Sequence, residues 1–225
     1  MGAQRPLQNR VAPTGEIVAV AARGLFMGNR GVLHDETQHL GRRRWVLKAW
    51  LICQLEFKGR HRTVMTPRRY TELFFFDEAA AIAAGHRPCF ECRRQAALDW
   101  RDAWRCATGM ADAPRAAGMD AVLHDERVDP VSRLQRRWVG AFDDLPDGAF
   151  ALIDDQPHLI LGEEILPWDW SGYGAALCRP RGLDAVVLTP PSAVAVLREG
   201  YRPRLHPTRF THPGASILVA WFEIV

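Results

Sequence analysis

Long apolar runs are missing from this chain of 225 residues. The longest ones, at residues 215–222 and 150–153, are far shorter than the roughly 20 residues that a membrane-spanning helix needs. Residues 2–10 are mostly polar and lack the apolar core of a secretory signal. We therefore expect a soluble protein of the cytoplasm that makes no membrane contact.

Cysteine is scarce and odd in number, with five residues, two of which form one Cys89-x-x-Cys92 pair. A secreted disulfide scaffold would carry a denser, evenly paired set. The chain also has no glycine-rich phosphate loop, nucleophile elbow or pair of catalytic carboxylates. These absences leave metal or redox chemistry as the better use of the cysteines.

Positive charge is concentrated in the N-terminal part. Residues 1–100 carry 16 Lys and Arg against 9 Asp and Glu, whereas the remaining residues carry 13 against 17. Nearly all the basic residues are arginine, whose planar guanidinium suits bidentate contacts to phosphate. This half of the chain is the candidate for binding a polyanion.

Residue patterns predict an α+β fold. It comprises an antiparallel sheet with a zinc-knuckle helix, a helical middle segment and a small mixed C-terminal part. The N-terminal strands are predicted at residues 17–20, within 44–57, and at 62–65 and 70–76. Asp77 is placed to cap an alanine-rich helix over residues 78–84, which Gly85 ends.

The later elements follow from the same patterns. Helices are expected within residues 93–117 and 119–124 and from 190 to 199, and short strands at 149–153, 158–161 and 185–188. The change of character after the middle segment predicts two domains, residues 1–118 and 119–225.

The sharpest motif is Cys89-Phe90-Glu91-Cys92. Two sulfurs at this spacing on a tight turn point at one ion, and Zn²⁺ accepts thiolate and imidazole ligands in a tetrahedron. Pro88 stiffens the approach to the turn, and a helix is predicted to follow it. The motif predicts a zinc site.

The segment from Asp77 through the alanine-rich helix to Gly85-His86-Arg87-Pro88-Cys89-x-x-Cys92 resembles the zinc-binding domain of the Ada methylation-response family. The upstream run Gly31-Val32-Leu33-His34 is similar to that family's first ligand strand. The resemblance covers about residues 28–94. It implies His34, Cys89 and Cys92 as ligands of one zinc ion.

The fourth ligand has two candidates. His39 matches the family's spacing, whereas Cys53 is chemically the better zinc ligand and lies in the same predicted sheet. We favour Cys53, which gives a structural site of His34, Cys53, Cys89 and Cys92. The family's methyl transfer does not carry over, because His34 stands where Ada has its alkyl-accepting cysteine.

Arginines and aromatic residues alternate along the predicted sheet, which suits a phosphate backbone and unstacked bases of DNA or RNA. Trp45, Trp50 and Tyr70 are the aromatic residues. The candidate contacts are Arg42, Arg43, Arg44, Lys58, Arg60, Arg62, Arg68, Arg69, Arg93 and Arg94. The sequence thus predicts a zinc-stabilised nucleic-acid-binding protein, with a possible link to DNA repair or processing; a basic face that only contacts water is the alternative interpretation.

Two other functions fit parts of the sequence. His34-x-Glu36 and Pro88-Cys89-x-x-Cys92 match the bare elements of zinc-dependent deaminases, in which Glu36 would be the general acid and base. That interpretation requires a water molecule as the fourth zinc ligand. The C-terminal part could instead serve as a protein-interaction module.

Overall fold

The computed structural model describes residues 5–60 and 63–210. Over these ranges the chain forms two β-sheets and four α-helices, which confirms the α+β prediction. No helix among the described residues combines the length and apolar character that crossing a bilayer requires.

The first sheet contains six short strands. They are β1 (Arg10–Val11), β2 (Ile17–Val18), β3 (Phe26–Asn29), β4 (Leu51–Gln54), β5 (Leu73–Phe75) and β6 (Arg87–Pro88). Their spatial order is β2-β1-β5-β3-β4-β6. The sheet is mixed rather than wholly antiparallel, because β1 pairs with β5 and β4 pairs with β6 in parallel.

The strand predicted at residues 62–65 is not formed over its described part. Residues 63–69 contain turns, with Met65 and Arg68 at positive φ, so the backbone cannot stay extended there. Arg62 lies outside the described residues. The long apolar stretch at 44–57 contributes only β4 to the sheet.

The second sheet is antiparallel throughout. Its strands are β7 (Trp138–Ala141), β8 (Phe150–Ile153), β9 (Gln156–Leu161), β10 (Glu164–Asp169), β11 (Gly172–Tyr173), β12 (Leu177–Cys178) and β13 (Asp184–Val187). The order is β11-β10-β9-β8-β13-β7, and β12 pairs with β10. The three strands predicted in this region correspond to β8, β9 and β13.

The helices are α1 (Glu78–Ala83), α2 (Arg94–Thr108), α3 (Ala116–Arg127) and α4 (Pro191–Arg198). Every residue of α1 is buried. Ala81 and Ile82 belong to one hydrophobic cluster, whereas Ala79, Ala80 and Ala83 belong to a second cluster with residues of the second sheet. Small alanine side chains let this helix be packed on all sides, and its one charged residue, Glu78, is paired with Arg93.

The larger cluster joins both parts of the chain. On α2 the buried side chains include Trp100 and Trp104. The ring centres of Trp100 and Tyr201 are 5.1 Å apart, and the two rings pack edge to face. The same cluster includes Val11 from β1 and Val187 from β13. The domain boundary at residue 118 stays a prediction, but apolar packing is continuous across it.

Candidate metal centre and basic surface

Cys53, Cys89 and Cys92 come together, with all three sulfur atoms within 4.8 Å of one another. We call them the cysteine cluster. Cys53 is on β4 and Cys89 directly follows β6, and these strands pair in parallel with Ile52 opposite Pro88. The next position of that register sets Cys53 beside Cys89. The turn after Cys89 then returns Cys92 to the same place, through a bond from the Arg93 N–H to the Cys89 carbonyl at 3.1 Å.

The cluster favours one thiolate. Hydrogen bonds from the Cys53 thiol, which has the largest effect, and from the Cys92 thiol lower the pKa of Cys89 well below that of a free thiol. Bonding to Cys89 raises the pKa of Cys53. The Glu91 backbone N–H also donates to the Cys89 sulfur at 3.4 Å. A cation could replace the shared protons, since thiolates are the metal-binding form of cysteine.

Three converging sulfurs could therefore hold a metal ion, and their chemistry fits a thiophilic one such as Zn²⁺. Within residues 5–60 and 63–210, no fourth His, Cys, Asp or Glu side chain lies within the same reach of all three. Cys106 and Cys178 are exposed and stand apart from the cluster.

The structure does not bring His34 into the cysteine cluster. Its Nδ1 lies 2.7 Å from the Thr71 hydroxyl and its Nε2 lies 3.1 Å from the Thr66 carbonyl, so both ring nitrogens are engaged elsewhere. His39 is also outside the cluster; it is exposed, and its Nδ1 lies 2.8 Å from the Thr37 hydroxyl. The group that could hold a metal ion among the described residues therefore comprises three cysteines and includes neither His34 nor His39.

The deaminase elements are not joined either. Glu36 is exposed and pairs with Arg68 at 3.3 Å. Among the described residues, His34 and Glu36 are not part of the cysteine cluster, so the two deaminase elements are not brought together there. The interaction-module interpretation stays a hypothesis.

The predicted nucleic-acid contacts that the structure describes fall into three groups: partly or fully exposed residues around the first sheet, exposed Arg94 on α2, and Arg93, whose side chain is buried. Seven are at least partly exposed around the first sheet and its loops: Arg42, Arg43, Arg44, Lys58, Arg60, Arg68 and Arg69. Arg94 is exposed at the start of α2. Arg60 pairs with Glu91 at 2.8 Å, beside the cysteine cluster.

Arg93 is the exception. Its side chain is 9% exposed and donates two hydrogen bonds to the Glu78 carboxylate, at 2.7 and 2.8 Å. It therefore connects the knuckle to α1 and does not face solvent. Arg93 is predicted to contact nucleic acid because it is basic and directly follows the Cys89-x-x-Cys92 motif. Its buried partner, Glu78, is seen only in the structure.

Three consecutive arginines form one wall of a surface cavity of about 690 Å³, which we call the basic surface. Arg42, Arg43 and Arg44 line it together with Trp45, and Arg133 faces them from the segment after α3. Sequence reasoning missed Arg133. The signal was available, since residues 127–137 contain four arginines.

No protein-family model, curated protein sequence or solved structure matches this chain. Functional conclusions therefore rest on its own residues. The resemblance to the Ada zinc-binding domain stays a prediction drawn from the motif.

Proposed function

We propose that this chain is a zinc-stabilised nucleic-acid-binding protein. The observation that carries the proposal is the convergence within 4.8 Å of three sulfurs, one from Cys53 on a strand and two from the knuckle that begins 36 residues later at Cys89. Three thiols at this separation match the donor set that Zn²⁺ prefers, and thiolates are poor ligands for Mg²⁺ or Ca²⁺.

The zinc ion would have a structural role. Cys53, Cys89 and Cys92 would hold it, and it would fasten β4 to the knuckle from which α2 begins. Because Arg93 follows Cys92 directly and binds Glu78 of α1, the same fastening would support the contact between the knuckle and α1. Metal binding of this kind contributes directly to the free energy of folding.

The metal part of the proposal is tested by metal content and thermal stability together. Purified protein should contain one zinc per chain. Cys53→Ser, Cys89→Ser and Cys92→Ser should each abolish binding and lower the Tm by roughly 10 °C, which corresponds to a loss of about 3 kcal/mol in a chain of this size.

Cys106→Ser and Cys178→Ser are the matched controls, because both cysteines are exposed and outside the cluster. They should leave the zinc content and the Tm unchanged. Wild-type protein without stoichiometric metal, or a Cys89→Ser variant as stable as the wild type, would refute the zinc proposal.

Nucleic acid is proposed as the partner because of the basic surface. Arg42 and Arg43 are exposed and have no carboxylate within ion-pairing distance among the described residues. The neighbouring Trp45 is half-buried and offers a ring on which a base can stack. Guanidinium groups beside an accessible aromatic ring suit single-stranded nucleic acid better than a duplex.

Fluorescence anisotropy with a labelled 20-nucleotide single strand tests this part. The logarithm of the affinity should fall with the logarithm of the salt concentration, with a slope near −2 if about three phosphates are contacted. Arg42→Gln/Arg43→Gln should make the slope shallower by about 1. Arg198→Gln, on the exposed side of α4, should not change it. A flat salt dependence would rule out the polyanion partner.

A further inference from the structure

A second cavity, of about 540 Å³, adjoins the basic surface, and we call it the arginine cleft. Arg44, Trp45 and Arg133 line both cavities. The floor of the cleft is formed by side chains from distant parts of the chain, including Arg30 after β3, Trp50 before β4 and Arg127 at the end of α3. The cleft is therefore a product of the tertiary fold.

Two guanidinium groups of this floor are buried. Arg30 and Arg127 are 2% and 1% exposed, and the central carbon of each guanidinium lies 4.0 Å from the centre of the Trp50 ring. Burial, with a smaller effect of repulsion from Arg127 and Arg44, lowers the pKa of Arg30 to about 9, and burial likewise lowers the pKa of Arg127 to about 9. Both groups remain charged at neutral pH.

Arg30 has no acidic partner within residues 5–60 and 63–210. Its Nε donates to Nε2 of His86 at 3.3 Å and its Nη1 donates to the Gly15 carbonyl at 3.2 Å, whereas its Nη2 has no partner among the described residues. His86 is buried, and desolvation holds its pKa well below the usual value, so this neighbour is neutral. The positive charge of Arg30 is held in place without being compensated.

Two other arginine side chains with little exposure are compensated. Arg87 forms two hydrogen bonds with the Asp120 carboxylate, at 2.8 and 2.7 Å, and Arg93 forms two with Glu78. Removing a charge from water is costly unless an opposite charge is near. Arg30 and Arg127 differ from these two, since neither forms an ion pair with a carboxylate among the described residues, and both lie at the floor of the cleft.

The mouth of the cleft adds more positive charge. Arg44, Arg133 and Arg137 line it and reach solvent, while one lining residue, Glu16, is acidic among those described. The guanidinium of Arg133 lies 5.7 Å from the centre of the Trp45 ring, which is half-buried at the junction with the basic surface. The exposed guanidinium groups at the mouth can thus donate hydrogen bonds to a ligand. The two buried guanidinium groups at the floor contribute a positive electrostatic potential.

We propose that the arginine cleft binds the phosphate monoester of a nucleotide, with the base against Trp45. The identification of the anion as a nucleotide rests on the proposed function. A dianionic monoester matches several converging arginines better than the single charge of an internal phosphodiester. The volume suits a ligand of nucleotide size. The nucleotide can be free or can be the phosphorylated end of a strand, and these two sources are distinguished below.

The test compares matched probes on the wild-type protein by calorimetry and by the shift in Tm. Adenosine 5′-monophosphate should bind at least tenfold more tightly than adenosine. A single strand with a 5′- or 3′-terminal phosphate should bind at least threefold more tightly than the same strand with hydroxyl ends.

Variants of the cleft complete the test. Arg133→Gln and Arg137→Gln, both exposed, should each weaken binding of the monophosphate three- to tenfold while leaving the fold unchanged. Arg30→Gln should weaken it at least tenfold, and Arg30→Lys, which keeps the charge, should recover part of the loss. Arg198→Gln is the control and should bind as the wild type does.

Three outcomes are separable. No preference for the monophosphate over adenosine and none for phosphorylated ends overturns the inference, even if salt-dependent strand binding persists and the proposed function stands. Binding of the free nucleotide without strand binding supports the cleft and overturns nucleic acid as the partner. Equal monophosphate affinity in the wild type, Arg133→Gln and Arg137→Gln would also overturn the inference.

Discussion

Asp77 is a fully buried carboxylate at the N-terminus of α1. It accepts hydrogen bonds from the Ala80 N–H at 2.9 Å, from the Tyr173 hydroxyl at 2.6 Å and from the His206 N–H at 3.0 Å. Burial outweighs these bonds and, with the neighbouring Glu78, raises the pKa of Asp77 from 3.8 to about 6. This residue is both a helix cap and a group that titrates near neutrality.

The raised pKa predicts a specific pH dependence. Because the folded-state pKa lies above the unfolded value, the protonated form contributes stability at low pH that is lost as the pH rises through about 6. The free energy of unfolding of the wild type relative to Asp77→Asn should fall by about 2 to 3 kcal/mol between pH 4 and pH 7.5. Urea unfolding of both proteins across this range measures it.

Asp77→Asn is the reference because it keeps one capping oxygen and cannot ionise. The difference between the two curves therefore removes the titration of every other group. If that difference stays constant, or grows with pH, the carboxylate of Asp77 is not destabilised by burial.

At the scale of the element, α1 ends at a glycine that the structure requires. Gly85 has φ +84°, and a Cβ there would lie 2.4 Å from Cδ of Arg127. Gly109 ends α2 with φ +64°, but a Cβ there would meet nothing within 4 Å. The two glycines share a left-handed backbone and differ in their surroundings.

Replacing each glycine with alanine separates backbone strain from steric contact. Gly109→Ala should cost about 1 kcal/mol, the penalty of a side chain at positive φ. Gly85→Ala should cost about 2 to 4 kcal/mol, since Arg127 must also move. Denaturant midpoints of the two variants give the comparison, and equal losses would show that the Arg127 contact has no energetic weight.

The elements best predicted from sequence are those whose signals are local. Asp77 and Gly85 bracket α1 within nine residues, and cap and stop signals act over one turn. The strand pairing of the first sheet could not be predicted in this way, because the pairing of β4 with β6 joins residues 36 apart and no local signal encodes a parallel register. Residues 62–65 are predicted as a strand because their apolar and β-branched residues fit either state, whereas residues 64 and 65 lie in a turn.

For the whole molecule, the same distinction separates the two candidate sites. Cys89 and Cys92 are predicted as metal ligands from their C-x-x-C spacing. Cys53 is predicted as a ligand because a thiolate binds zinc well. His34 was placed by family spacing, and its ring instead bonds to Thr66 and Thr71. The arginine cleft cannot be predicted from the sequence, because Arg30 and Arg127 are 97 residues apart and only the fold places both guanidinium groups over the Trp50 ring.

The segment of residues 201–206 closes over both acidic residues at the start of α1. Tyr201 and the Arg204 N–H bind Glu78, while the His206 N–H binds Asp77. A fragment ending at residue 118 would retain both carboxylates and leave these donors behind. Functional dissection should therefore proceed by single substitutions in the intact chain, since truncation would expose charge that the last described residues now shield.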